Sequence, residues 1–419
     1  MKTLNFKTIL VIAAIAVLAA FSSCEENGDD QTFTVTFDSK GGSAVLSQSV
    51  KKGDKVTEPK DPTRDNFNFA GWAIADNEAS PLWNFETGTV ETDMKLYARW
   101  NDDENGNGNG NGNGNGKKGD VYVAGYEVEQ DMRVAKLWKN GVSQYITEAD
   151  RLGCAYSVYV SGSDVYEAGT SGNGRHVILW KNGVARSLVQ GSADASGYSV
   201  FISGNDVYVA GYTTYGSAAH TATSEGILFK NGIQQNSGGL RVARSVYVSG
   251  SDVYVAGYLP GYNSSMYAAL SKNGVVQDLT NGAYYAEGYS VFVSGSDVYV
   301  AGYNGSRAVL WKNGDVQNLT DGTNTAVGRS IFVSGSDVYV AGNNGSRAVL
   351  WKNGDVQNLT DGTNSAAGRS IFVFGSDVYV AGYEYEQGKS VAKLWKNGVA
   401  QDITDGTNES EAYSVFVVE

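Results

Sequence analysis

Residues 120–419 repeat one pattern seven times, and the period and phase of that pattern restrict the fold more than any other feature. The string Asp-Val-Tyr-x-Ala-Gly begins at Asp120, Asp164, Asp206, Asp252, Asp297, Asp337 and Asp377, in steps of 44, 42, 46, 45, 40 and 40 residues. A Lys-Asn-Gly follows each, at Asn140, Asn182, Asn231, Asn273, Asn313, Asn353 and Asn397. An inner string, Ser-[Val/Ile]-[Phe/Tyr]-[Val/Ile], starts at Ser157, Ser199, Ser245, Ser290, Ser330, Ser370 and Ser414. A period of 40 to 46 residues with several short strands predicts one β-propeller blade per repeat. The inner string is strand A and Asp-Val-Tyr is strand B, joined by a Ser-Gly-Ser type turn. The segment ending in Leu-Trp is strand C. Asn-Gly then turns the chain into strand D, because both residues tolerate the positive φ of a type I′ hairpin. The series opens on a strand B and closes on a strand A. Blade one therefore borrows its inner strand from the C-terminus, which closes a ring and pairs both terminal edges. A linear solenoid would instead carry a capping repeat at each end.

The expected fold class is all-β: a small β module followed by a seven-bladed propeller of four-stranded blades. The boundaries read as 1–23 leader, 24–31 acidic tether, 32–100 small module, 101–119 linker and 120–419 propeller. Residues 1–23 have a short basic start (Lys2, Lys7), an apolar run from Ile9 to Phe21, and small residues before Cys24. That run is too short to span a bilayer, which needs about 20 residues, and has the layout of a signal peptide. A Cys directly after the small residues resembles a bacterial lipoprotein signal. The resemblance implies lipidation at Cys24 and a mature N-terminus there; the alternative is a plain secretory signal with an incidental Cys. Glu25, Glu26, Asp29 and Asp30 resemble the surface-export signal of Bacteroidetes lipoproteins, which implies the outer-membrane cell surface. Asn101 to Gly119 holds six consecutive Asn-Gly pairs, a composition expected to behave as a flexible coil spanning roughly 24 Å.

Between leader and linker, Thr34-Val-Thr-Phe37 alternates polar and apolar residues as a half-buried strand does. Gly41-Gly42 marks a turn, and Pro59 and Pro62 break the middle. Phe67, Phe69, Trp72, Trp83, Phe85, Leu96, Tyr97 and Trp100 supply an aromatic core. The strings FTVTFDSKGGS, FNFAGW, LWNF and TDMKLYARW resemble an internalin-type B-repeat, also called the Listeria–Bacteroides repeat. The resemblance implies a β-grasp-like module that acts as a spacer or adhesion unit and has no catalytic constellation. Its three Trp read as core rather than as a sugar-stacking surface. The seven repeats resemble propeller-like arrays of Bacteroidetes surface lipoproteins, which implies a fold and a location and no activity.

Composition narrows the function classes. With 32 Lys+Arg against 45 Asp+Glu, the net charge of −13 argues against nucleic acid, whose binders need a basic face. Two His and two Cys leave no room for a His-rich metal site or a disulfide framework. Asp-Gly-Thr-Asn runs at Asp321, Asp361 and Asp405 lack the spacing of a calcium loop. No metal and no cofactor are expected. The Trp series (Trp138, Trp180, Trp311, Trp351, Trp395) reads as blade packing.

The loops between strands B and C and between D and A vary, and function concentrates in loops presented by a rigid scaffold. Tyr126, Tyr212, Tyr215, Tyr258, Tyr262, Tyr267, Tyr284, Tyr285, Tyr383 and Tyr385 are expected there. Just before each strand A stands a patterned residue: Tyr156, Tyr198, Arg244, Tyr289, Arg329, Arg369 and Tyr413. Strand A lines the central channel, so these seven are the candidate ligand-binding ring for a polar or anionic group. The alternative is that each packs against its neighbouring blade.

Repeats five and six, Asp297–Ser336 and Asp337–Ser376, differ at four of 40 positions. Near-identical blades offer equivalent shallow sites, where an enzyme needs a singular arrangement. The expected function is therefore a surface-anchored binding or adhesion lipoprotein, a monomer and not an enzyme, that displays the propeller to a glycan or to a surface or host protein. Its membrane contact is the lipid anchor. Two alternatives stay open: an enzyme acting on polysaccharide, hydrolase or lyase, and a structural envelope component. Catalysis would need paired carboxylates, and Glu129, Glu148, Glu287 and Glu384 show no pattern.

Overall fold

A computed structural model describes residues 31–64, 67–76, 80, 82–85, 87–102, 119–146, 152–172, 174–189, 194–215, 223–261 and 265–419. The leader, Cys24, Glu148, His220, Tyr262 and most of the Asn-Gly linker lie outside the described residues. No helix among the described residues is long and apolar enough to cross a membrane. The chain divides into two compact units, Met1–Asn113 and Gly114–Glu419.

The first unit is a four-stranded sheet of β1 (Thr32–Asp38), β2 (Gln48–Lys51), β3 (Phe67–Ala73) and β4 (Met94–Asp102), in the order β2-β1-β4-β3. β1 and β4 run parallel at the centre, and each edge strand is antiparallel to its neighbour, as a β-grasp-like module requires. Val35, Val50, Val56, Trp72, Val90, Leu96 and Ala98 form the core, with Trp83 and Trp100 packed against it. Phe37 and Phe69 meet the Trp72 ring edge-on, at 4.8 and 5.3 Å. All three Trp of the segment thus serve packing.

The second unit is seven four-stranded sheets. Blade one pairs the C-terminal strand Ser410–Val418 with Asp120–Glu129, followed by Met132–Lys139 and Val142–Tyr145. The register sets Val415 opposite Val123 and Val418 opposite Asp120. The ring is closed by the last strand of the chain. Blades two to seven follow in order, each built from one repeat, and their inner strands begin at Gly153, Asp194, Val242, Ala286, Ala326 and Ala366.

Three features of the inner strands hold the ring. Each inner-strand Ser accepts a hydrogen bond from a backbone N–H of the next blade, for example Val200 N–H to Ser157 Oγ at 3.1 Å. All seven such bonds form, and the circle includes Val158 N–H to Ser414 Oγ and Val415 N–H to Ser370 Oγ. Two residues further along, Tyr159, Phe201, Tyr247, Phe292, Phe332, Phe372 and Phe416 make an unbroken aromatic collar, with neighbouring centroids 4.6 to 5.3 Å apart. Such spacing puts seven rings on a circle of about 6 Å radius, so the collar narrows the channel. Between blades, Val, Ala and Leu pack with one large aromatic. Trp138, Trp180, Trp311, Trp351 and Trp395 are all fully buried, and Phe229 fills the same role in blade three.

The face with the short turns is a repeated staple. Every Asn of Lys-Asn-Gly has positive φ, between 50° and 54°, followed by a positive-φ Gly, as a type I′ turn demands. Its side-chain carbonyl accepts the N–H that follows the strand-B Asp, as in Val338 N–H to Asn353 Oδ1 at 2.8 Å. Its amide donates to that Asp, as in Asn353 Nδ2 to Asp337 at 2.8 Å, and the adjacent Lys352 pairs with the same carboxylate at 2.7 Å. The Asp thus ties two turns together.

One expectation needs correction. Most of the Tyr assigned to variable loops lie in strands, because strands B and C continue past the Ala-Gly. Tyr126 lies in Asp120–Glu129, Tyr212 and Tyr215 in Asp206–Tyr215, Tyr258 in Asp252–Pro260, Tyr267 in Met266–Lys272, and Tyr383 and Tyr385 in Asp377–Glu386. Tyr284 and Tyr285 remain in a loop.

Candidate active site at the channel mouth

The seven patterned residues also lie inside a strand rather than before it. In every blade the pairing of strands A and B slips by one residue at this position, for instance between Gly328 and Ser330 and between Ala412 and Ser414. Each of Tyr156, Tyr198, Arg244, Tyr289, Arg329, Arg369 and Tyr413 is the extra residue of a β-bulge. A bulge re-aims one side chain without breaking the sheet. The Gly of Asp-Val-Tyr-x-Ala-Gly makes room for it: a Cβ on Gly342 would lie 1.9 Å from the Val327 carbonyl oxygen, and one on Gly302 2.0 Å from that of Glu287. Close backbone approach, not positive φ, is why that position is Gly.

The bulged side chains touch around the channel. Tyr413 and Tyr156 meet edge-on at 4.9 Å, and Tyr156 and Tyr198 at 5.3 Å. The Arg244 guanidinium lies over Tyr198 at 4.5 Å and over Tyr289 at 5.2 Å. Arg329 sits 5.6 Å from the Tyr289 ring, and Arg369 4.9 Å from that of Tyr413. Guanidinium–aromatic contacts of this kind orient the cation and keep its edge free for hydrogen bonds. A second tier stands on strand B: Tyr126, Thr170, Tyr212, Tyr258, Tyr303, Asn343 and Tyr383. Tyr212 stacks on Tyr198 at 5.6 Å, and Tyr383 lies under Arg369 at 5.1 Å.

The three arginines differ in their surroundings. Arg244 donates through Nε to Glu287 at 2.5 Å, and Arg369 through Nη2 to Glu411 at 2.7 Å. In both cases the carboxylate belongs to the next blade. Arg329 has no carboxylate partner among the described residues; its Nε donates to Asn343 Oδ1 at 3.3 Å. Burial and the neighbouring Arg369 charge lower the Arg329 pKa, whereas the carboxylates outweigh burial and raise those of Arg244 and Arg369. Burial raises the phenols of Tyr156, Tyr289 and Tyr413, so they hold their protons at neutral pH.

Sequence reading placed the ring but missed what surrounds it. Glu411 and Asn343 were not singled out. The signal was available: Glu287 and Glu411 both stand two positions before the ring residue of a repeat that follows an Arg repeat. Of the carboxylates considered for catalysis, Glu287 is bound to Arg244 and Glu129 pairs with the buried Lys136 at 2.5 Å. Glu384 is partly buried on strand B of blade seven and raised by desolvation. The Asp321 and Asp405 carboxylates accept from Thr323 and Thr407 within their own turns, and Asp361 accepts the Thr363 N–H. His176 ends a strand of blade two, and Cys154 is buried, its thiol pushed up to about 11 by desolvation.

Solved structures that the chain resembles include hydrolases and peptidases. A puromycin hydrolase matches 69% of this chain and 53% of its own, at 11% identity and a TM-score of 0.48. The β-propeller domain of the trilobed protease from Pyrococcus furiosus matches 70% of this chain and 96% of its own, at 8% identity and a TM-score of 0.43. At these identities the likeness speaks for the fold alone, and the chain spans about half of the hydrolase. The expectation of an adhesion or carbohydrate-binding protein with no enzymatic role is nevertheless corrected: the fold is one that hydrolases and peptidases also carry, so it gives no ground for excluding catalysis. The physical flaw lay in the argument from near-identical repeats. Arg329 and Arg369 occupy the two most similar repeats, yet Arg369 pairs with Glu411 of the following blade while Arg329 meets Asn343 of its own, so equivalent sequences do not make equivalent sites.

For the small module the likeness is in sequence. A putative membrane protein of Evansella cellulosilytica is 42% identical over 72 residues, 17% of this chain and 11% of the relative. A putative Gly-rich membrane protein of the same organism is 41% identical over 68 residues, 16% of this chain and 8% of the relative. The chain thus spans about a tenth of the curated relatives it matches. Residues 33–99 match the Listeria-Bacteroides repeat domain, so the chain carries that domain at its N-terminal side, followed by an all-β propeller.

Proposed function

We propose that this protein is an envelope enzyme that cleaves the glycosidic bonds of a polysaccharide at the mouth of its propeller channel. The observation that carries the reading is the convergence of seven bulged side chains on one mouth, with three arginines in three different electrostatic settings. That is a singular arrangement of the kind chemistry requires. The arginines suit holding polar or charged groups of the polymer. Tyr289 lies between Arg244 and Arg329 and keeps its proton. As the glycosidic C–O bond breaks, it gives that proton to the leaving oxygen, and water forms the new bond to the anomeric carbon. The proton that the water sheds returns to the phenolate, which the two guanidinium charges stabilise. The collar narrows the channel beneath, so the substrate lies across the mouth. The leader layout supports export and lipidation at Cys24, with the acidic segment 24–31 directing the protein to the outer-membrane surface. The B-repeat module and the Asn-Gly linker then serve as spacer and tether for a monomer.

The full-length chain is incubated with a panel of neutral and acidic polysaccharides, and both new reducing ends and the ultraviolet absorbance of unsaturated ends are followed. Release from at least one polymer is expected. Tyr289→Phe, with an unchanged circular dichroism spectrum, is expected to lower it about 100-fold or more. No release across the panel, or full activity in Tyr289→Phe, overturns the assignment.

A further inference from the structure

The environment of Arg329 identifies the substrate class, on the reading that the mouth is the catalytic face. Arg244 and Arg369 each find a carboxylate two positions before the ring residue of the next blade, at Glu287 and Glu411. For Arg329 that position is Ala367. On strand B of its own blade, where the blades on either side carry Tyr303 and Tyr383, Arg329 meets the shorter Asn343. Repeats five and six differ at four positions, and two of those are Tyr303 against Asn343 and Val327 against Ala367. Both changes shorten a side chain, and neither Val327 nor Ala367 is the acid found at this position in Glu287 and Glu411. Beside it, Arg369 spends Nη2 on Glu411 while its Nε is buried with no hydrogen-bond partner. Among the described residues, two neighbouring ring positions therefore present one cation without a counter-ion and one buried guanidinium N–H without an acceptor. A partly buried cation in that condition is costly unless an anion joins it, and a guanidinium edge matches the two oxygens of a carboxylate.

We propose that Arg329, beside Arg369 on the mouth, receives a carboxylate of the polymer, so that the substrate is a polymer of uronic acids. Arg329 holds the carboxylate oxygens through its Nη groups, and the neighbouring Arg369 charge adds to the attraction. Tyr289 and Tyr413 flank the pair and keep both guanidinium planes oriented.

Binding of an oligogalacturonate and of a neutral galactose oligomer of the same length is measured by titration calorimetry on the full chain. The acidic oligomer is expected to bind at least tenfold more tightly, and Arg329→Ala to abolish that preference. Ala367→Glu supplies the counter-ion that blades five and one already contain. It is expected to fold with an unchanged or higher Tm and to abolish the preference as well. Equal binding of both oligomers by the native chain, or wild-type preference in Ala367→Glu, overturns the inference. Cleavage of a neutral polymer without acidic preference overturns this inference and leaves the catalytic reading standing. Acidic preference with no cleavage of any polymer does the reverse.

Discussion

Glu167 shows how much one residue departs from its repeat. Six blades place Val at this position of strand B: Val123, Val209, Val255, Val300, Val340 and Val380. Blade two places a Glu there, fully buried, with both carboxyl oxygens lacking any hydrogen-bond partner. Desolvation pushes its pKa up to about 8 from an ordinary value of 4.5. The folded chain therefore holds one more proton than the unfolded chain between those values. The contribution of Glu167 to stability is therefore greatest below about pH 4.5, falls as pH rises through that window, and levels off above about 8. Glu167→Val should remove this slope and stabilise the propeller by roughly 5 kcal/mol above pH 8. Urea midpoints measured at pH 5, 7 and 9 in both chains check this. Parallel midpoint shifts with pH in wild type and variant would show that another group is responsible. Glu167 has no exposed surface, so it takes no part in substrate chemistry.

At the scale of the element, the C-terminal strand carries a disproportionate share of the ring. Ser410–Val418 supplies the inner strand of blade one, the buried side chains Ala412, Val415 and Val417, the collar residue Phe416 and the ring residue Tyr413. It also takes part in two of the seven serine bonds between blades. Removing Ser410–Glu419 exposes the Asp120–Glu129 edge and opens collar and mouth together. Loss of roughly 5 kcal/mol or more is expected from the apolar burial alone. The amides of Tyr122 to Gly125 should then exchange rapidly with deuterium, and a synthetic Ser410–Glu419 peptide should restore their protection. Retained protection in the truncated chain would show that the ring does not depend on its closing strand. The Gly of Asp-Val-Tyr-x-Ala-Gly belongs to this scale as well. It exists because a carbonyl of the inner strand sits on top of it.

At the scale of the whole molecule, two units of different character are joined through the Asn-Gly segment: a mixed-sheet module with one core, and a ring whose cores lie between blades. On the proposed anchoring, the leader sets where the enzyme works. Cys24→Ser is expected to move the protein from the membrane fraction to the soluble fraction while leaving polymer cleavage in solution unchanged. Fractionation of cells producing either form, followed by the reducing-end assay, checks both parts. An unaltered membrane fraction would overturn lipidation at Cys24.

The amino-acid sequence determined by itself what depends on short-range order. Blade count, strand order, the Asn-Gly hairpins and the borrowed inner strand all follow from a repeat of 40 to 46 residues and from its phase. A side chain at period two and a turn pair needing positive φ carry their consequences within a few residues. The positions of the seven mouth residues were legible for the same reason. What the sequence could not determine lies between blades. Whether Arg244, Arg329 or Arg369 has a counter-ion depends on a residue 43, 38 or 42 positions later, which only ring closure brings alongside. The serine circle, the aromatic collar and the burial of Glu167 are also contacts between repeats. Tertiary structure decided these because the energy of a charge or a polar atom is set by what surrounds it in space, and in a closed ring those surroundings come from the neighbouring blade.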